Sequence, residues 1–415
     1  MMGVPTDFRL CIRCRGARRL CSLAYCPLLV ESRVSLTLGK VAARTSMDGS
    51  SPPSVFISWY DYPKVIAAIA SPPLRGDTSH YERSEVWLKL NLSIDDLLTM
   101  RLTLIRGGSN VSIHDLSNKY VSYLQEVALA EKPVDVELQF SKPPKPKIEL
   151  DELNPPIGPL APVRSVRLGS NPYFGRYVEK VFNDTDMNAR EAVNYLYRSG
   201  IEVSRIIRIF SVGGIGIGNL RRLVPTRWSI TAVDKIISDE LVNRIKSYEP
   251  LSEVLVFQYR VFDNAFMAIL IPSRTWWFEW MEAWFPGSTW NRFGSEVVIE
   301  GDWEGPQGRT TYPDIGGCYY ASRLAVAEYL NRIRRKAIAV LMREIYPSFN
   351  IPIGVWFVRE SLRMMFKQKP IKLSDVKDLI KVMNKFFKIE PATWIMKSSI
   401  LKRFIKERSI LEYLR

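Results

Sequence analysis

A proline-rich segment constrains the fold of this chain more than any other feature of its sequence. Residues 141–163 contain seven prolines, namely Pro143, Pro144, Pro146, Pro155, Pro156, Pro159 and Pro162. Proline lacks the N–H group that helices and interior strands donate, so we expect neither regular helix nor sheet in this stretch. We interpret it as an interdomain linker or as an extended arm that lies on a surface.

Length and composition bound the domain organisation. The chain has 415 residues, of which 47% are hydrophobic and 24% are charged, and this composition excludes a mostly disordered chain. We predict a multidomain α+β protein. Its parts would be an N-terminal four-cysteine element with a connector at 1–50, a small α+β domain at 51–140, the linker or arm at 141–163, a central α+β domain at 164–319, and a basic, mainly helical region at 320–415.

The sequence shows no feature typical of export or of membrane insertion. Its longest apolar runs, such as 266–271, are far shorter than the roughly 20 residues that a spanning helix needs. Four arginines interrupt the N-terminal segment, which is unlike a secretory signal. We therefore expect a soluble, intracellular (cytoplasmic) protein with no membrane partner, and the oligomeric state is left open.

The positive charge is concentrated at the two ends of the chain. The formal net charge is +15, with +5 in residues 1–50, +13 in residues 320–415 and −3 between them. Such a surplus indicates a polyanionic partner, and we favour nucleic acid over a set of solvated basic faces. The candidate nucleic-acid contacts are Arg13, Arg15, Arg18, Arg19, Arg221, Arg222, Arg227, Arg334, Arg335 and Lys336.

Four of the five cysteines lie within 16 residues, as Cys11, Cys14, Cys21 and Cys26. Clustered cysteines in an intracellular protein are typical of metal ligands rather than disulfides. Four thiolates satisfy the tetrahedral preference of Zn²⁺ and leave no open position for catalysis, so the site would be structural. An iron–sulfur cluster and free thiols are the alternatives.

Hydrophobic periodicity predicts the surrounding elements. Strands are expected at 55–57, 134–140, 206–212, 255–258, 265–271 and 353–358. Helices are expected at 117–130, 186–199, 231–248, 323–345 and 392–404, with a further helix from an N-cap at Ser374 to about residue 387.

Three carboxylates alternate along a strand-like segment, where Glu300, Asp302 and Glu304 are spaced two residues apart. On a strand all three would project from one face. If they met in space with Asp186, and with Asp184 or Asp234, they could hold Mg²⁺ or Mn²⁺ and activate a water for phosphodiester hydrolysis. The alternative is a solvated acidic strand edge.

Four glycines occur between Gly213 and Gly218, directly after an apolar run. Their spacing matches neither the P-loop nor the dinucleotide fingerprint. A phosphate-binding loop, assisted by the arginines that follow and by Trp228, is therefore one interpretation, and a flexible hairpin or surface loop is the other.

Five tryptophans lie between Trp276 and Trp290. Trp277, Trp280 and Trp284 have the i, i+3, i+7 spacing of one helical face, which we expect to be core. The alternative is a stacking surface for unpaired bases. The two histidines, His80 and His114, and the isolated Cys318 are expected to be structural.

The C-terminal residues resemble a peptide that docks on a sliding clamp. Ile410, Tyr413 and Leu414 would enter one apolar pocket as a one-turn plug, with Glu407 at the first position of the pattern. A full match has Gln at that position and usually two aromatics at the end. An amphipathic chain end without this role is the alternative.

The sequence as a whole resembles the archaeal Nre family of DNA-repair proteins, over nearly its full length. The resemblance is carried by Cys11 to Pro27, Ser54 to Ile57, Tyr62 to Val65, Lys132 to Glu137, Asn183 to Met187, Val224-Pro-Thr-Arg-Trp-Ser-Ile230, Gly301 to Pro306, Pro352 to Trp356, and Arg359 with Glu360. It implies a role in the response to DNA damage, an N-terminal zinc-finger-like element and a C-terminal peptide that binds the clamp PCNA. It does not assign a catalytic activity.

Three functional hypotheses follow. The leading one is a DNA-repair factor, associated with the nucleoid, that holds DNA through its basic regions while the C-terminal peptide tethers it to the clamp. The second is a metal-dependent phosphodiesterase or nuclease that uses the Glu300, Asp302 and Glu304 carboxylates. The third is a non-enzymatic RNA-binding scaffold.

Overall fold

The computed structural model of the protein describes residues 45–144, 150–291, 294–373 and 376–404. These residues belong to two compact units. The first extends to Ile237 and includes Pro352–Trp356, while the second contains Ser238–Ile351 and the residues from Phe357 onward. None of the helices among these residues is long and apolar enough to cross a membrane.

The described strands of the first unit form one mixed sheet of six strands. They are β1 (Ser46–Ser51), β2 (Ser54–Ile57), β3 (Lys64–Ser71), β4 (Ile105–Ser112), β5 (Val134–Phe140) and β6 (Leu160–Leu168), in the spatial order β1-β5-β6-β4-β3-β2. β4 and β6 run parallel, and the other neighbours are antiparallel. The strands predicted at 55–57 and 134–140 are confirmed as β2 and β5.

The proline-rich segment enters this sheet, contrary to expectation. β6 begins at Leu160, and Pro162 is the last residue that pairs with β4, opposite Gly108. The next residue, Val163, is the first to pair with β5, beside an irregularity in the register. A proline is tolerated where a ladder changes partner, because its missing N–H then interrupts no continuous run of bonds. Strands from both sides of the proline-rich segment therefore pair directly.

The helices of the first unit are mostly those predicted. They are α1 (Ser84–Trp87), α2 (Ile94–Leu102), α3 (Lys119–Leu129), α4 (Arg176–Asn183), α5 (Ala189–Arg198), α6 (Val203–Ser211) and the start of α7 (Thr226–Ile245), with 3₁₀ turns at Ser79–Tyr81 and Gly218–Leu220. The predicted helices at 117–130, 186–199 and 231–248 are confirmed as α3, α5 and α7. Asn188 begins α5 with a capping box, in which Glu191 bonds back to the Asn188 N–H.

The strand predicted at 206–212 is wrong, because this segment is helix α6. The helix buries Val203, Ile206 and Ile207, which share one side at i, i+3 and i+4. A short continuous apolar run carries no period that separates a buried strand from a buried helix, so the sequence alone could not decide.

The second unit also contains a mixed sheet of six described strands. They are β7 (Val254–Val261), β8 (Asn264–Pro272), β9 (Trp277–Trp284), β10 (Val298–Glu304), β11 (Ala337–Ile345) and β12 (Ile371–Leu373), in the order β10-β9-β11-β8-β7-β12. The helices are α8 (Gly317–Ile333), α9 (Trp356–Met365), α10 (Val376–Phe386) and α11 (Pro391–Lys397). The paired strands predicted at 255–258 and 265–271 are confirmed as β7 and β8.

Helices cover both faces of this sheet. On one face Met267, Met281 and Met342 pack in a single core with Met383 of α10 and Trp394 of α11. On the other face, Phe278 meets Tyr319 of α8 with ring centroids 5.0 Å apart, and Phe266 meets Phe357 of α9 at 5.8 Å. Successive residues of each strand alternate between these two cores. The mixed α+β class is confirmed.

The long helix predicted at 323–345 is only half correct. α8 ends at Ile333, and Arg334 adopts a left-handed conformation (φ 50°, ψ 51°) that caps it. The residues Ala337–Ile345 form β11 instead, between β8 and β9 in the middle of the sheet. Both halves are rich in apolar residues, and no glycine or proline marks the change from helix to strand.

Three further predictions need correction. Residues 353–358 form no strand, because α9 begins at Trp356. Trp277, Trp280 and Trp284 lie on strand β9, where Trp277 projects from the opposite face to the other two. The helix predicted at 392–404 is interrupted at Ser398, between α11 and a last helical segment at 399–404. The helix predicted to end near 387 is confirmed as α10, while its proposed cap, Ser374, lies outside the described residues.

Candidate nucleic-acid interface

Several predicted site residues lie outside the part of the chain that the structure describes. They are the zinc ligands Cys11, Cys14, Cys21 and Cys26, the N-terminal arginines Arg13, Arg15, Arg18 and Arg19, and the clamp-binding residues Glu407, Ile410, Tyr413 and Leu414. These assignments stay predictions.

The acidic segment is a strand, as predicted, but its carboxylates do not form a metal-binding group. Glu300, Asp302 and Glu304 alternate along β10, so all three share one face of it. Asp186 belongs to the first unit, in the loop between α4 and α5. Within the described ranges, no three His, Cys, Asp or Glu side chains form a group that could hold a metal ion.

Arginines neutralise two of the three carboxylates. Glu304 is buried, and Arg323 of α8 donates to it at 2.8 Å. Asp302 pairs with Arg309 at 2.6 Å and accepts a hydrogen bond from the backbone N–H of Asp314. These two carboxylates therefore fix α8 and the loop at 309–314 against the edge of the sheet.

The glycine-rich segment ends helix α6 instead of forming an open loop. Gly213 has φ 67°, and the N–H groups of Gly213 and Gly214 donate to the carbonyls of Phe210 and Ile209. This is a Schellman C-cap, which needs a residue that tolerates the left-handed region. The residues Gly213 to Gly216 are buried, so these N–H groups are not presented to a phosphate.

Arg221 has a structural role. Its guanidinium donates to the carbonyls of Phe182 at 2.6 Å and Asp184 at 2.5 Å, at the end of α4, and to that of Gly216 at 2.7 Å. Burial lowers the pKa of this arginine. Because its donors are used inside the protein, Arg221 is a poor candidate for a phosphate contact, unlike the exposed Arg222.

Two of the five tryptophans between Trp276 and Trp290 belong to the core. Trp276 and Trp280 are fully buried. Trp277 stacks on Trp303 of β10 with centroids 5.8 Å apart, and the Arg403 guanidinium lies 5.2 Å from the Trp303 ring. The expectation of a core face therefore holds only for Trp280, because Trp277 and Trp284 are half-buried and the element is a strand, while Trp290 is 58% exposed.

A different set of aromatic side chains is exposed in the first unit. Tyr60 is 62% exposed, Tyr62 and Trp228 are each 43% exposed, and Trp59 is 37% exposed. Trp59 and Tyr60 stack with ring centroids 4.5 Å apart, and Tyr62 contacts Trp228 at 5.1 Å. The Arg227 guanidinium lies 4.9 Å from the Trp59 ring. We refer to Trp59, Tyr60, Tyr62, Arg227 and Trp228 as the aromatic surface.

Two elements build the aromatic surface. The turn between β2 and β3 supplies residues 59–62, and the first turn of α7 supplies residues 227 and 228. The two are joined by a hydrogen bond from the Ile57 N–H to Thr226 Oγ1 at 2.9 Å. Asp61 turns the chain with φ 61°, a conformation that Asp tolerates better than most residues.

Exposed basic side chains border the aromatic surface. The Ile113 N–H donates to Pro63, and the Leu223 N–H donates to Ile113, so three chain segments lie side by side. The neighbours of these residues, Lys64, His114 and Arg222, are exposed. Arg227 itself forms ion pairs with Glu152 at 3.2 Å and with Asp151 at 3.8 Å. Because these carboxylates balance its charge, its main role here is to hold the Trp59 ring in place.

A second exposed feature lies in the second unit, at the C-terminal end of α8. Lys336 Nζ donates to the carbonyl of Lys246 at 3.0 Å, and Arg332 donates to that of Phe366 at 3.1 Å. Cationic side chains from three chain segments therefore collect here. We call this group the α8 basic end; it comprises Lys246, Arg332, Arg334, Arg335, Lys336, Lys367 and Lys369, all exposed except the half-buried Lys336.

The sequence indicated part of these two features. It singled out Arg334, Arg335 and Lys336 by their spacing in the basic C-terminal region. It missed Trp59, Tyr60 and Tyr62, although three aromatics within four residues, directly before a proline, are an unusual composition for a turn.

The chain matches two family models along most of its length. The one described as "Archaeal Nre, N-terminal" matches residues 20–291, and the one described as "Archaeal Nre, C-terminal" matches residues 304–413. No solved structure matches the chain.

Similar proteins carry repair names. DNA repair protein NreB of Archaeoglobus fulgidus is 44% identical over 97% of this chain and 100% of its own length. DNA repair protein NreA of the same organism is 36% identical over 87% of this chain and 89% of its own, and NreA of Haloferax volcanii is 35% identical over 86% of each. With both family models and a full-length relative matched, the chain belongs to the archaeal Nre family.

Proposed function

We propose that this chain is a DNA-repair factor that binds DNA through basic surfaces and is held at the sliding clamp by its C-terminal peptide. Its relatives are named DNA repair proteins, which supports the repair role. The observation that carries the DNA-binding part is the α8 basic end. DNA contact would associate the protein with the nucleoid.

The α8 basic end has the properties of a phosphate-binding surface. Arg334 and Arg335 are adjacent in the sequence, and both are exposed. Because the left-handed conformation of Arg334 ends α8, both residues lie in the connection between α8 and β11. Cations near a helix C-terminus are favoured by the helix dipole, which accounts for one or two of them. Cations gathered from three segments exceed that need, and they can displace counterions from a DNA backbone.

The α8 basic end can be tested with the double variant Arg334→Ala/Arg335→Ala. Each lost phosphate contact reduces the slope of log affinity against log salt by about 0.9. We therefore expect the slope for duplex DNA to fall by about 2 and the affinity at moderate salt to fall by roughly tenfold. The measurement is fluorescence anisotropy with a labelled duplex over a salt series.

Lys385→Ala is the matched control. Lys385 is exposed on α10, which packs on the face of the sheet opposite to α8. An unchanged slope and affinity in the double variant, or an equal loss in the control, would contradict the assignment.

The clamp tether is supported by the sequence pattern of the last residues. Ile410, Tyr413 and Leu414 can form an apolar plug, with Glu407 at its first position. A tether raises the local concentration of the protein at the clamp without any need for tight DNA binding.

Deletion of residues 407–415 tests the tether. We expect the truncated chain to lose clamp binding in a pull-down with purified PCNA while it keeps its affinity for duplex DNA. Tyr413→Ala should weaken clamp binding in the same direction. Clamp binding that survives the deletion would remove the tether from the proposal.

The N-terminal cysteines belong to the same proposal as a structural zinc element. Cys11, Cys14, Cys21 and Cys26 supply four thiolates, a donor set that suits Zn²⁺ in a closed tetrahedral site. Elemental analysis of the purified chain should find one zinc per molecule and much less after Cys11→Ser. Bound iron, or no bound metal, would contradict the zinc assignment.

A further inference from the structure

We infer that the aromatic surface binds unpaired nucleotides, with bases stacked on Tyr60 and Trp228 and the backbone phosphates held by Lys64 and Arg222. The inference deepens the proposed DNA-binding function and rests on it. Stacking of this kind would add a preference for single-stranded segments to the binding of duplex DNA.

The exposure of the rings is the first step. Tyr60 and Trp228 are both exposed large side chains, at 62% and 43%. Large aromatic groups on a surface leave apolar area in water, and here they form two contacting pairs, Trp59 with Tyr60 and Tyr62 with Trp228, at one place in the first unit. Such patches are typical of binding sites.

The rigidity of the rings is the second step. Trp59 is held between Tyr60, at a centroid distance of 4.5 Å, and the Arg227 guanidinium, at 4.9 Å. Arg227 is fixed in turn by its ion pairs with Asp151 and Glu152. A ring that is already ordered loses little conformational entropy when a base stacks on it.

The exposed basic side chains beside the aromatic surface indicate the class of ligand. Lys64, His114 and Arg222 are exposed along one side of the patch, where their chain segments are joined by the bonds among Pro63, Ile113 and Leu223. Planar rings beside basic groups match a strand of nucleotides, in which flat bases alternate with phosphates. A purely apolar protein partner would leave these charges unmatched.

The geometry also favours unpaired bases over a duplex. Inside a duplex each base face is covered by its neighbours, so an external ring can stack only at an end or on an extruded base. A single strand exposes its base faces all along its length. Side chains that act by stacking should therefore contribute to single-strand binding and hardly at all to duplex binding.

The test compares the affinities of the full chain for a labelled oligo(dT) and for a labelled blunt duplex by anisotropy. Tyr60→Ala and Trp228→Ala should each weaken single-strand binding by roughly 5- to 100-fold. Duplex affinity should change by less than about twofold, since the phosphate contacts remain. Tyr60→Phe and Trp228→Phe keep a stacking ring and should retain most of the single-strand affinity.

A fluorescence readout separates stacking from general damage. Binding of oligo(dT) should quench part of the tryptophan emission, and this part should be absent in Trp228→Ala. The melting temperatures of the alanine variants should stay close to that of the parent chain, because both side chains are exposed.

The outcomes distinguish this inference from the proposed function. If the alanine variants keep full single-strand affinity and quenching, the aromatic surface does not bind nucleotides and serves another partner, such as an apolar protein segment. If single-strand binding depends only on Arg334 and Arg335, the proposed function stands and the inference fails. If the full chain binds neither the oligo(dT) nor the duplex, the proposed function itself fails.

Discussion

At the scale of single residues, two buried arginines of the first unit show how differently the same side chain can be accommodated. Arg101 donates to the Glu82 carboxylate at 2.5 Å and to the carbonyl of Tyr81 at 2.8 Å. Arg208 of α6 is also buried, and its Nε atom has no hydrogen-bond partner. Burial lowers the pKa of Arg208 to about 10. Arg101 is thus matched by its partners, whereas Arg208 is buried with one donor unmatched.

Substitution of each arginine by methionine should therefore have opposite effects. Arg101→Met leaves Glu82 without its main buried partner and should lower the free energy of unfolding by about 3 kcal/mol. Arg208→Met removes a poorly solvated charge and should raise it by about 1–3 kcal/mol at neutral pH. Thermal unfolding, monitored by circular dichroism, measures whether each substitution raises or lowers the stability.

The pH dependence provides the check on Arg208. The unfolded side chain keeps its proton to a higher pH than the folded one, which releases it near its pKa of about 10. The buried charge thus costs its full amount of stability below pH 10, and this cost falls as the pH rises above that value toward the higher pKa of the unfolded side chain. The advantage of Arg208→Met should stay constant up to about pH 9 and begin to shrink above pH 10. A lower melting temperature for Arg208→Met at neutral pH would contradict this interpretation.

At the scale of elements, one carboxylate of β9 holds the last described helical segment. Glu279 is buried and accepts hydrogen bonds from the Ser398 hydroxyl and from the N–H groups of Ser399 (2.6 Å) and Ile400 (3.2 Å). It thereby caps a helix N-terminus from a neighbouring strand, where a negative charge is favoured. The residues 399–404 lead directly to the C-terminal peptide.

Glu279→Gln should loosen this segment, because an amide has one acceptor oxygen and brings an N–H₂ group against backbone donors. We expect trypsin to cleave after Lys402 or Arg403 roughly ten times faster in the variant, at a pH where the carboxylate is charged. Glu300→Gln, on the exposed part of β10, is the control and should leave cleavage unchanged. Equal cleavage in both variants would show that Glu279 does not hold the helix.

The elements that the sequence predicted correctly have a clear period or a clear end. α5 follows an Asn cap with Glu three residues later, and β5 alternates strictly between buried and exposed side chains. The errors fall on uniformly apolar segments such as 206–212 and 353–358. There the type of element is decided by which neighbours pack on it, and one segment does not contain that information.

At the scale of the whole chain, the proline-rich segment pairs in a sheet that its composition does not predict, and the reason is physical. Seven prolines predict an absence of ladder bonds, yet Pro162 lies where β6 exchanges β4 for β5 and needs no continuous ladder. Candidate DNA contacts were predicted where charges were close in sequence. Groups assembled from distant segments, such as Lys246 with Lys336 or Tyr62 with Trp228, become visible only in the folded chain.

We propose that this Nre-family chain contacts DNA directly, through the α8 basic end and the aromatic surface. Photo-cross-linking of the full chain to a forked DNA tests it most directly, with photoreactive thymidines placed either in the single-stranded arms or in the duplex, followed by mass spectrometry of the linked peptides. We expect the arms to cross-link to peptides that contain Tyr60 or Trp228, and the duplex to cross-link to peptides around Arg334 and Arg335. Cross-links confined to other faces, such as α10 with Lys385, would contradict the account.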